Sequence, residues 1–198
     1  MQILIATRNR HKLGEIRAIL DTPGIEWLDL SGFPDAPPVV EDLPTFEGNA
    51  VKKAAETAAF TGLWTLADDS GLEVAALGGA PGVLSARYAG EPCSDAANNR
   101  KLLAALDGGA DRTARFRCVV ALAHPRGDCR WVEGRCDGRI VDTPRGAGGF
   151  GYDPLFVPDG FDRTYAELDP AVKNAISHRA RALQCASADL LPWVLARR

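Results

Sequence analysis

Two adjacent carboxylates, Asp68 and Asp69, follow a short apolar run and precede Ser70 and Gly71. Neighbouring carboxylates repel each other unless a cation, a hydrogen-bond donor or water relieves the repulsion. Carboxylate oxygens of this kind can hold Mg²⁺, or one of them can act as a base toward a nucleophilic water. Because successive side chains of an extended segment point to opposite faces, a metal would need a second carboxylate from elsewhere, and Glu41 is the candidate. An ordinary turn of the Asp-Ser-Gly type is the alternative.

A polar segment between a predicted strand and a predicted helix could bind phosphate. Backbone N–H groups at a helix N-terminus attract anions, and a lysine lies one turn into this helix. The segment lacks the spacing of the G-x-x-x-x-G-K-[ST] phosphate loop, so an ordinary polar connection is the alternative. Its residues are Thr7, Arg8, Asn9, Arg10, His11 and Lys12.

Lysine is rare in this chain, which has five lysines among its 23 basic residues. Lysine offers a compact point charge, so these positions could mark contacts to phosphate, with codon bias as the alternative. Lys53 lies four residues after Asn49, on the same face of a predicted helix. A solvated helix face would explain that pair equally well.

A glycine-rich segment, residues 146–154, contains a literal G-x-G-x-x-G. A dinucleotide-binding fold would open a long helix here, whereas Pro154 and an apolar run follow. Flexible backbone together with the rings of Phe150 and Tyr152 instead suits a nucleobase. A tight turn that packs two aromatic rings is the alternative.

A last polar cluster contains Lys173, His178 and Arg179, near the start of the final predicted helix. The planar donors of Arg179 could bind a base carbonyl, and the ammonium of Lys173 could bind phosphate. The alternative for a lone His-Arg pair is an exposed position without a functional role.

The elements that must position these residues alternate between strands and helices, which indicates an α/β fold, or α+β with a mixed sheet. A loop or edge segment covers residues 31–44, and Asp95 and Ser177 are the predicted caps of two helices. We expect strands at 3–7, 63–67, 115–123 and 130–141, and helices near 13–20, 49–60, 95–106 and 177–191.

Composition excludes several classes of protein. The chain has 198 residues, 46% of them hydrophobic, enough for one sizeable core. A net charge of −3 argues against binding to nucleic-acid backbone or to an anionic membrane. No apolar run approaches the roughly 18 residues of a membrane span, and no basic region precedes the first apolar stretch. We therefore expect a soluble, cytoplasmic protein.

Cysteine and histidine usage is equally informative. The five cysteines are an odd number without C-x-x-C spacing, which argues against a disulfide framework and a structural zinc site. The three histidines form nothing like H-E-x-x-H, so a zinc catalyst is disfavoured.

Taken together, these segments resemble the inosine triphosphate pyrophosphatase family, the purine nucleoside triphosphate (XTP/dITP) pyrophosphatases. The resemblance rests on residues 67–72, 79–82 with 85–88, 148–154 and 176–179, in order along nearly the whole chain. It implies a single domain over residues 1–198, an elongated two-lobed α/β fold around a central mixed sheet with a nucleotide cleft between the lobes, and a homodimer. It also implies Mg²⁺-dependent hydrolysis of ITP, dITP and XTP to the monophosphate and pyrophosphate, which would cleanse the nucleotide pool.

The resemblance also assigns roles by position. Asp69 would be the proton acceptor and, with Glu41, would hold Mg²⁺. The other residues would bind substrate. The triphosphate would be contacted by Thr7 to Lys12 and by Lys53. The base and sugar would be contacted by Phe150, Gly151, Tyr152 and Asp153, and the base also by His178 and Arg179. Ser70 and Lys173 would bind the substrate at unspecified atoms. Arg8 occupies a variable position, so its side-chain role is open, as is that of Glu47.

Two other functions compete with this one. A nucleotide sensor would bind nucleotide without turnover, although a protein that only binds gains little from the general base that paired carboxylates offer. A related pyrophosphatase could act on pyrimidine or modified nucleotides, although His178 and Arg179 with two aromatic rings favour a purine.

Overall fold

The computed structural model describes residues 1–197 and contains a six-stranded sheet. The strands are β1 (Gln2–Ile5), β2 (Glu26–Asp29), β3 (Trp64–Val74), β4 (Thr113–Ala123), β5 (Cys129–Ile140) and β6 (Phe156–Pro158). Their order in the sheet is β2-β1-β3-β4-β5-β6.

The sheet is mixed, as expected for this α/β chain. Strand β1 runs parallel to both neighbours, with Ile3 opposite Trp27 of β2 and Trp64 of β3. Strands β5 and β6 are antiparallel. Adjacent strands β4 and β5 are joined by residues 124–128, too few for a parallel crossover, so the predicted antiparallel neighbours are confirmed.

Polar side chains fix the starts of the first two α-helices. Asn9 caps the first helix by accepting bonds from two backbone N–H groups, and the Thr45 hydroxyl caps the second by accepting from the Gly48 N–H. A π-helical turn, residues 186–190, joins the last two. The helices are α1 (Arg10–Ile19), α2 (Phe46–Thr61), α3 (Asp95–Ala105), α4 (Pro170–Ile176), α5 (His178–Cys185) and α6 (Leu191–Leu195).

Several predicted boundaries were wrong. Strands β2 and β6 and helix α4 were not predicted. Ser94, not Asp95, caps α3, because the Ser94 hydroxyl accepts the bond from the Ala97 N–H. Ser177 ends α4, where its N–H donates to the Lys173 carbonyl, and directly precedes α5. The helix predicted from Ser177 therefore begins where expected, but its α-helical part ends at Cys185 and not near Leu191.

By contacts between residues, the chain divides into two compact units. Unit 1 contains Met1–Asp69, Cys118–Gly134 and Arg179–Arg198, and unit 2 contains Ser70–Arg117 and Arg135–His178. Each unit has its own apolar core. Ile3, Ile5, Leu66, Val120 and Leu183 are buried in the core of unit 1. The core of unit 2 includes Leu72, Leu102, Leu155, Phe156 and Tyr165. The prediction of a single functional domain stays a prediction.

Candidate active site

The two adjacent aspartates lie inside β3 and not in a turn at the end of a strand. The predicted strand end was wrong because polar residues usually end a buried strand, whereas both these carboxylates are buried. Extended backbone turns consecutive side chains to opposite faces, and the two carboxylates accordingly have different partners. This difference decides what each of them can do.

Asp68 is surrounded by cations of unit 1. Its Oδ2 atom lies 3.1 Å from the Lys12 Nζ and 3.2 Å from the Arg179 Nη2. Burial alone would raise the pKa of Asp68, but these two positive charges outweigh it and hold the pKa well below its ordinary value. Arg179 also donates to Glu15, so the guanidinium bridges two carboxylates. Asp68 is therefore an ionised counterion for cations.

Asp69 has the opposite environment. Its side chain is buried, and its Oδ2 atom accepts a bond of 3.1 Å from the Asn49 amide. Burial raises the pKa of Asp69 to about 6, and the nearby negative charge of Glu41 adds to that rise against the lowering effect of Lys12 and Lys53. A buried carboxylate with a raised pKa is suited to accept a proton near neutral pH.

Glu41 approaches this site from an irregular segment, and α2 holds it there. The Lys53 ammonium donates to the Glu41 carboxylate. Burial lowers the pKa of Lys53, but the charges of Asp68, Glu41 and Asp69 outweigh burial and raise it, so the ammonium stays charged. The structure thus brings together Glu41, Lys53 and Asp69, three of the residues predicted to bind metal or substrate.

The predicted phosphate segment leads from β1 into α1. The Asn9 side chain accepts bonds from the backbone N–H groups of His11 and Lys12 at 2.9 and 3.2 Å. Thr7 Oγ1 accepts from the Asn9 N–H at 3.2 Å, and the Arg8 guanidinium donates to the Ala36 carbonyl at 2.5 Å. Arg10 is the first residue of α1. The sequence therefore folds into a capped helix start with Lys12 beside Asp68.

The glycine-rich segment lies in unit 2 and is fastened through Asp153. The Asp153 Oδ2 atom accepts from the Phe150 N–H at 2.9 Å and from the Lys173 Nζ at 2.6 Å. Gly149 has a φ of +71°, and a Cβ there would lie 2.0 Å from Asp153 Oδ2, so glycine is required. Strand β6 follows this segment, which confirms that it is not a dinucleotide-binding turn.

Other bonds of this segment fix its backbone. The Gly151 N–H donates to Asp95 at 2.7 Å, the bond that this side chain makes in place of the predicted cap. Tyr152 is buried, and its hydroxyl donates to the Ser85 carbonyl at 2.9 Å. Ser70, on β3, is half-buried.

Aromatic rings surround the remaining candidate residues of unit 2. The His178 ring stacks on Phe116 with centroids 4.6 Å apart and planes 11° apart. The Lys173 Nζ lies 5.0 Å from the Phe150 ring centroid and 5.6 Å from that of Tyr165. His178 and Lys173 therefore lie among aromatic rings of the same unit.

Arg179 departs most from the predicted arrangement. The sequence pairs it with His178 as a reader of the base, yet its guanidinium contacts Asp68 and Glu15 of unit 1. Its contact with a base stays a prediction, whereas the structure shows its contacts with two carboxylates.

Comparison with known proteins places these residues in a family. The model of the Ham1 family matches residues 3–188. This chain belongs to the Ham1 family. A dITP/XTP pyrophosphatase of Desulforamulus reducens is 52% identical over 186 residues, covering 93% of this chain and 92% of that protein. The dITP/XTP pyrophosphatase of Geobacter sulfurreducens is 54% identical over 194 residues, covering 97% of both chains.

A solved structure agrees with the sequence comparison. The Ham1 protein of Coxiella burnetii is 43% identical and superimposes with a TM-score of 0.89, covering 97% of this chain and 99% of that one. The resemblance inferred from the motifs and the α/β fold are thereby confirmed. Within residues 1–197 no helix has the length and apolar character needed to cross a bilayer.

Several residues that contact the predicted site residues were not themselves predicted for the site, among them Asn49, Glu15 and Phe116. The sequence places Asn49 on the same helix face as Lys53, and the family resemblance leaves its role undoubted, but neither names the atoms that it contacts. Glu15 lies three residues after Lys12 on α1, which is the spacing of one helix face and the only local signal for it. Phe116 looks like any apolar strand residue, and nothing in its sequence context points to His178.

The donors of unit 1 fit a magnesium ion. The charge of Glu41 contributes to the raised pKa of Asp69, so the two carboxylates repel each other, and a divalent cation would relieve that repulsion. Mg²⁺ is usually bound by one or two carboxylates, with waters and substrate phosphates completing the shell. Among residues 1–197, no three His, Cys, Asp or Glu side chains are grouped to hold a metal, which a site of two carboxylates does not need.

Proposed function

We propose that this chain hydrolyses dITP, ITP and XTP to the monophosphate and pyrophosphate in a Mg²⁺-dependent reaction. Membership of the Ham1 family and the names of its relatives support a nucleoside triphosphate pyrophosphatase. The observation that carries the chemistry is the contrast inside β3, where Asp68 is neutralised by cations and Asp69 is buried with a raised pKa of about 6.

Unit 1 supplies the groups for the triphosphate. The helix start at Asn9 offers backbone N–H groups, and Lys12 and Lys53 offer positive charge to phosphate oxygens. Glu41 and Asp69 would hold Mg²⁺, which supplies charge neutralisation to the pyrophosphate leaving group. Asp69 accepts the proton of the water that attacks the α phosphorus. Asp68 holds Lys12 in place.

Unit 2 supplies the groups for the base. The rings of Phe150 and His178 would provide flat surfaces for the base, and Asp153 fixes the backbone of the Phe150 segment by accepting from the Phe150 N–H. A site that donates hydrogen bonds to a 6-oxo group leaves its donors unpaired against the 6-amino group of adenine. Such a mismatch can lower kcat/KM for the adenine nucleotide about 10⁴-fold relative to the 6-oxo nucleotide.

The test is product analysis with the purified protein, Mg²⁺ and ITP, XTP, dITP, GTP, ATP and dTTP. We expect monophosphate and pyrophosphate from ITP, XTP and dITP, with little turnover of ATP. Orthophosphate with a diphosphate would mean attack at the γ phosphorus and would refute the proposed reaction. Bound nucleotide without any product would instead establish a nucleotide sensor, and preferential turnover of dTTP would refute the purine assignment.

A further inference from the structure

The amide of Asn49 joins two parts of unit 1 that are far apart in sequence. Its Oδ1 atom accepts from the Leu43 N–H at 3.0 Å, and its Nδ2 atom donates to the Leu43 carbonyl at 3.2 Å. The same Nδ2 atom donates to Asp69 Oδ2 at 3.1 Å. These bonds use the acceptor and both donors of an amide that is 1% exposed.

The segment that Asn49 holds carries Glu41 two residues before Leu43. Residues 37–42 have no regular secondary structure, and Val40 and Leu43 are 65% and 39% exposed. Apolar burial therefore contributes little to fixing this segment. A Cβ at Gly48 would lie 3.0 Å from the Leu43 side chain. The segment that carries Glu41 therefore passes close to α2 at the residue before Asn49.

Three residues of α2 hold three successive residues of this segment. Lys53 donates to Glu41, Lys52 to Asp42, and Asn49 bonds the backbone of Leu43. Asn49 differs from the two lysines because it is uncharged and also donates to Asp69. It therefore fixes the position of the Glu41 segment relative to the Asp69 carboxylate.

We propose that Asn49 is a positioning residue for a divalent cation, setting the separation of Glu41 and Asp69 so that both can ligate it. The inference rests on the proposed function for the existence of the cation site. An amide suits this task because its N–H donates to a carboxylate that must stay unprotonated to bind a cation. Groups that orient metal ligands typically change metal affinity about 10- to 100-fold when removed.

The experiment measures Mn²⁺ binding to the full-length protein by electron paramagnetic resonance, without nucleotide. We expect Asn49→Ala to weaken Mn²⁺ binding about tenfold. Asn49→Ser is measured beside it as a smaller perturbation that retains a polar group, in case the alanine variant folds poorly. Asp69→Asn identifies the signal of the proposed site, because it removes one of the two carboxylates.

Asn98 provides a matched control. It is an equally buried amide on α3, and its three bonds go to the backbone groups of Ser85, Ala86 and Ala89. We expect Asn98→Ala to lower the thermal stability as Asn49→Ala does, but to leave the Mn²⁺ affinity unchanged. Equal loss of Mn²⁺ affinity in both variants would reduce Asn49 to a structural residue and overturn the inference.

Enzyme kinetics add a second readout. If Asn49 acts through the cation, Asn49→Ala raises the Mg²⁺ concentration for half-maximal activity about tenfold, while the nucleotide KM at saturating Mg²⁺ changes little. An unchanged Mg²⁺ requirement and Mn²⁺ affinity in folded Asn49 variants would overturn the inference, as would a wild-type protein that binds no Mn²⁺. Normal Mn²⁺ binding that Asn49→Ala weakens, in a protein without pyrophosphatase activity, would refute the proposed function and leave this inference standing.

Discussion

Buried aspartates in the two units are neutralised in different ways. Asp68 of unit 1 is contacted by Lys12 and Arg179, and Arg179 continues to a second carboxylate, Glu15. Asp153 of unit 2 accepts bonds from Lys173 and from a backbone N–H of the glycine-rich segment. Unit 1 thus distributes charge over a network, whereas unit 2 uses an ion pair to hold a loop.

The lysines that contact these two aspartates also differ in their exposure to solvent. Lys12 is partly exposed, at 17% of its side chain, and can offer its ammonium to an anion. Lys173 is 8% exposed and lies between aromatic rings. Unit 1 is thus arranged for reactive charge and unit 2 for shape, and substitutions in each unit test this difference.

Asp69→Asn is expected to lower pyrophosphatase activity about 10³-fold or more, because it removes the proposed proton acceptor. The fold should survive, since the substitution removes a buried carboxylate that Glu41 repels and keeps an oxygen for the Asn49 bond. The measurements are pyrophosphate release from ITP and the thermal unfolding midpoint. Activity near that of the wild type would refute the role of Asp69.

Asp68→Asn is the neighbouring comparison and should act mainly on stability. It leaves the charges of Lys12 and Arg179 without their buried counterion, a change that typically costs about 3–5 kcal/mol. Chemical denaturation of the two variants measures the contrast. A loss of stability in Asp69→Asn as large as in Asp68→Asn would remove the distinction between the two carboxylates.

Lys173→Met is expected to destabilise the protein by about 3–5 kcal/mol, because it leaves the Asp153 carboxylate buried without its ammonium partner. Adding Asp153→Asn should recover much of this loss, since the amide oxygen can still accept from the Phe150 N–H. Urea denaturation of both variants gives the free energy of unfolding. An additive loss in the double variant would contradict the proposed pairing.

Local pattern identified the chemistry-bearing segments but not all of their partners. The capped start of α1, the face shared by Asn49 and Lys53, and the rejection of a dinucleotide-binding turn all follow from spacing of a few residues. The contact of Arg179 with Glu15 joins residues 164 positions apart, and no local pattern encodes it. The predicted contact of Arg179 with a base, drawn from its planar donors and from the family resemblance, stays a prediction, and the fold adds two acidic partners that no local pattern shows.

The length of β3 shows the same limit. An apolar run followed by Asp68 and Asp69 predicts a strand that ends at Ala67, because isolated charges are costly to bury. Lys12 and Arg179, supplied by distant parts of the chain, offset that cost and let the strand continue to Val74. Where burial of a charge depends on a distant partner, the sequence alone favours the wrong boundary.

Arg179→Lys separates the two roles open to this residue. A lysine cannot bridge two carboxylates with the fixed donors of a guanidinium, so we expect kcat/KM to fall about tenfold. Because the contacts are to Asp68 and Glu15, the fall should be the same for ITP, XTP and GTP. A change in the ratio between these substrates would instead support the predicted contact of Arg179 with the base.

Phe116→Leu is expected to have the smallest effect and to act on the base alone. The substitution removes the ring on which His178 stacks, an interaction worth about 1 kcal/mol, or roughly a fivefold change in KM. Because Phe116 belongs to unit 2, the Mg²⁺ requirement should not move, whereas the preference for ITP over ATP should shrink. Phe116 also packs on Phe156, so thermal unfolding must be measured in parallel. A raised Mg²⁺ requirement with unchanged base preference would contradict the assignment of Mg²⁺ binding to unit 1 and of base recognition to unit 2.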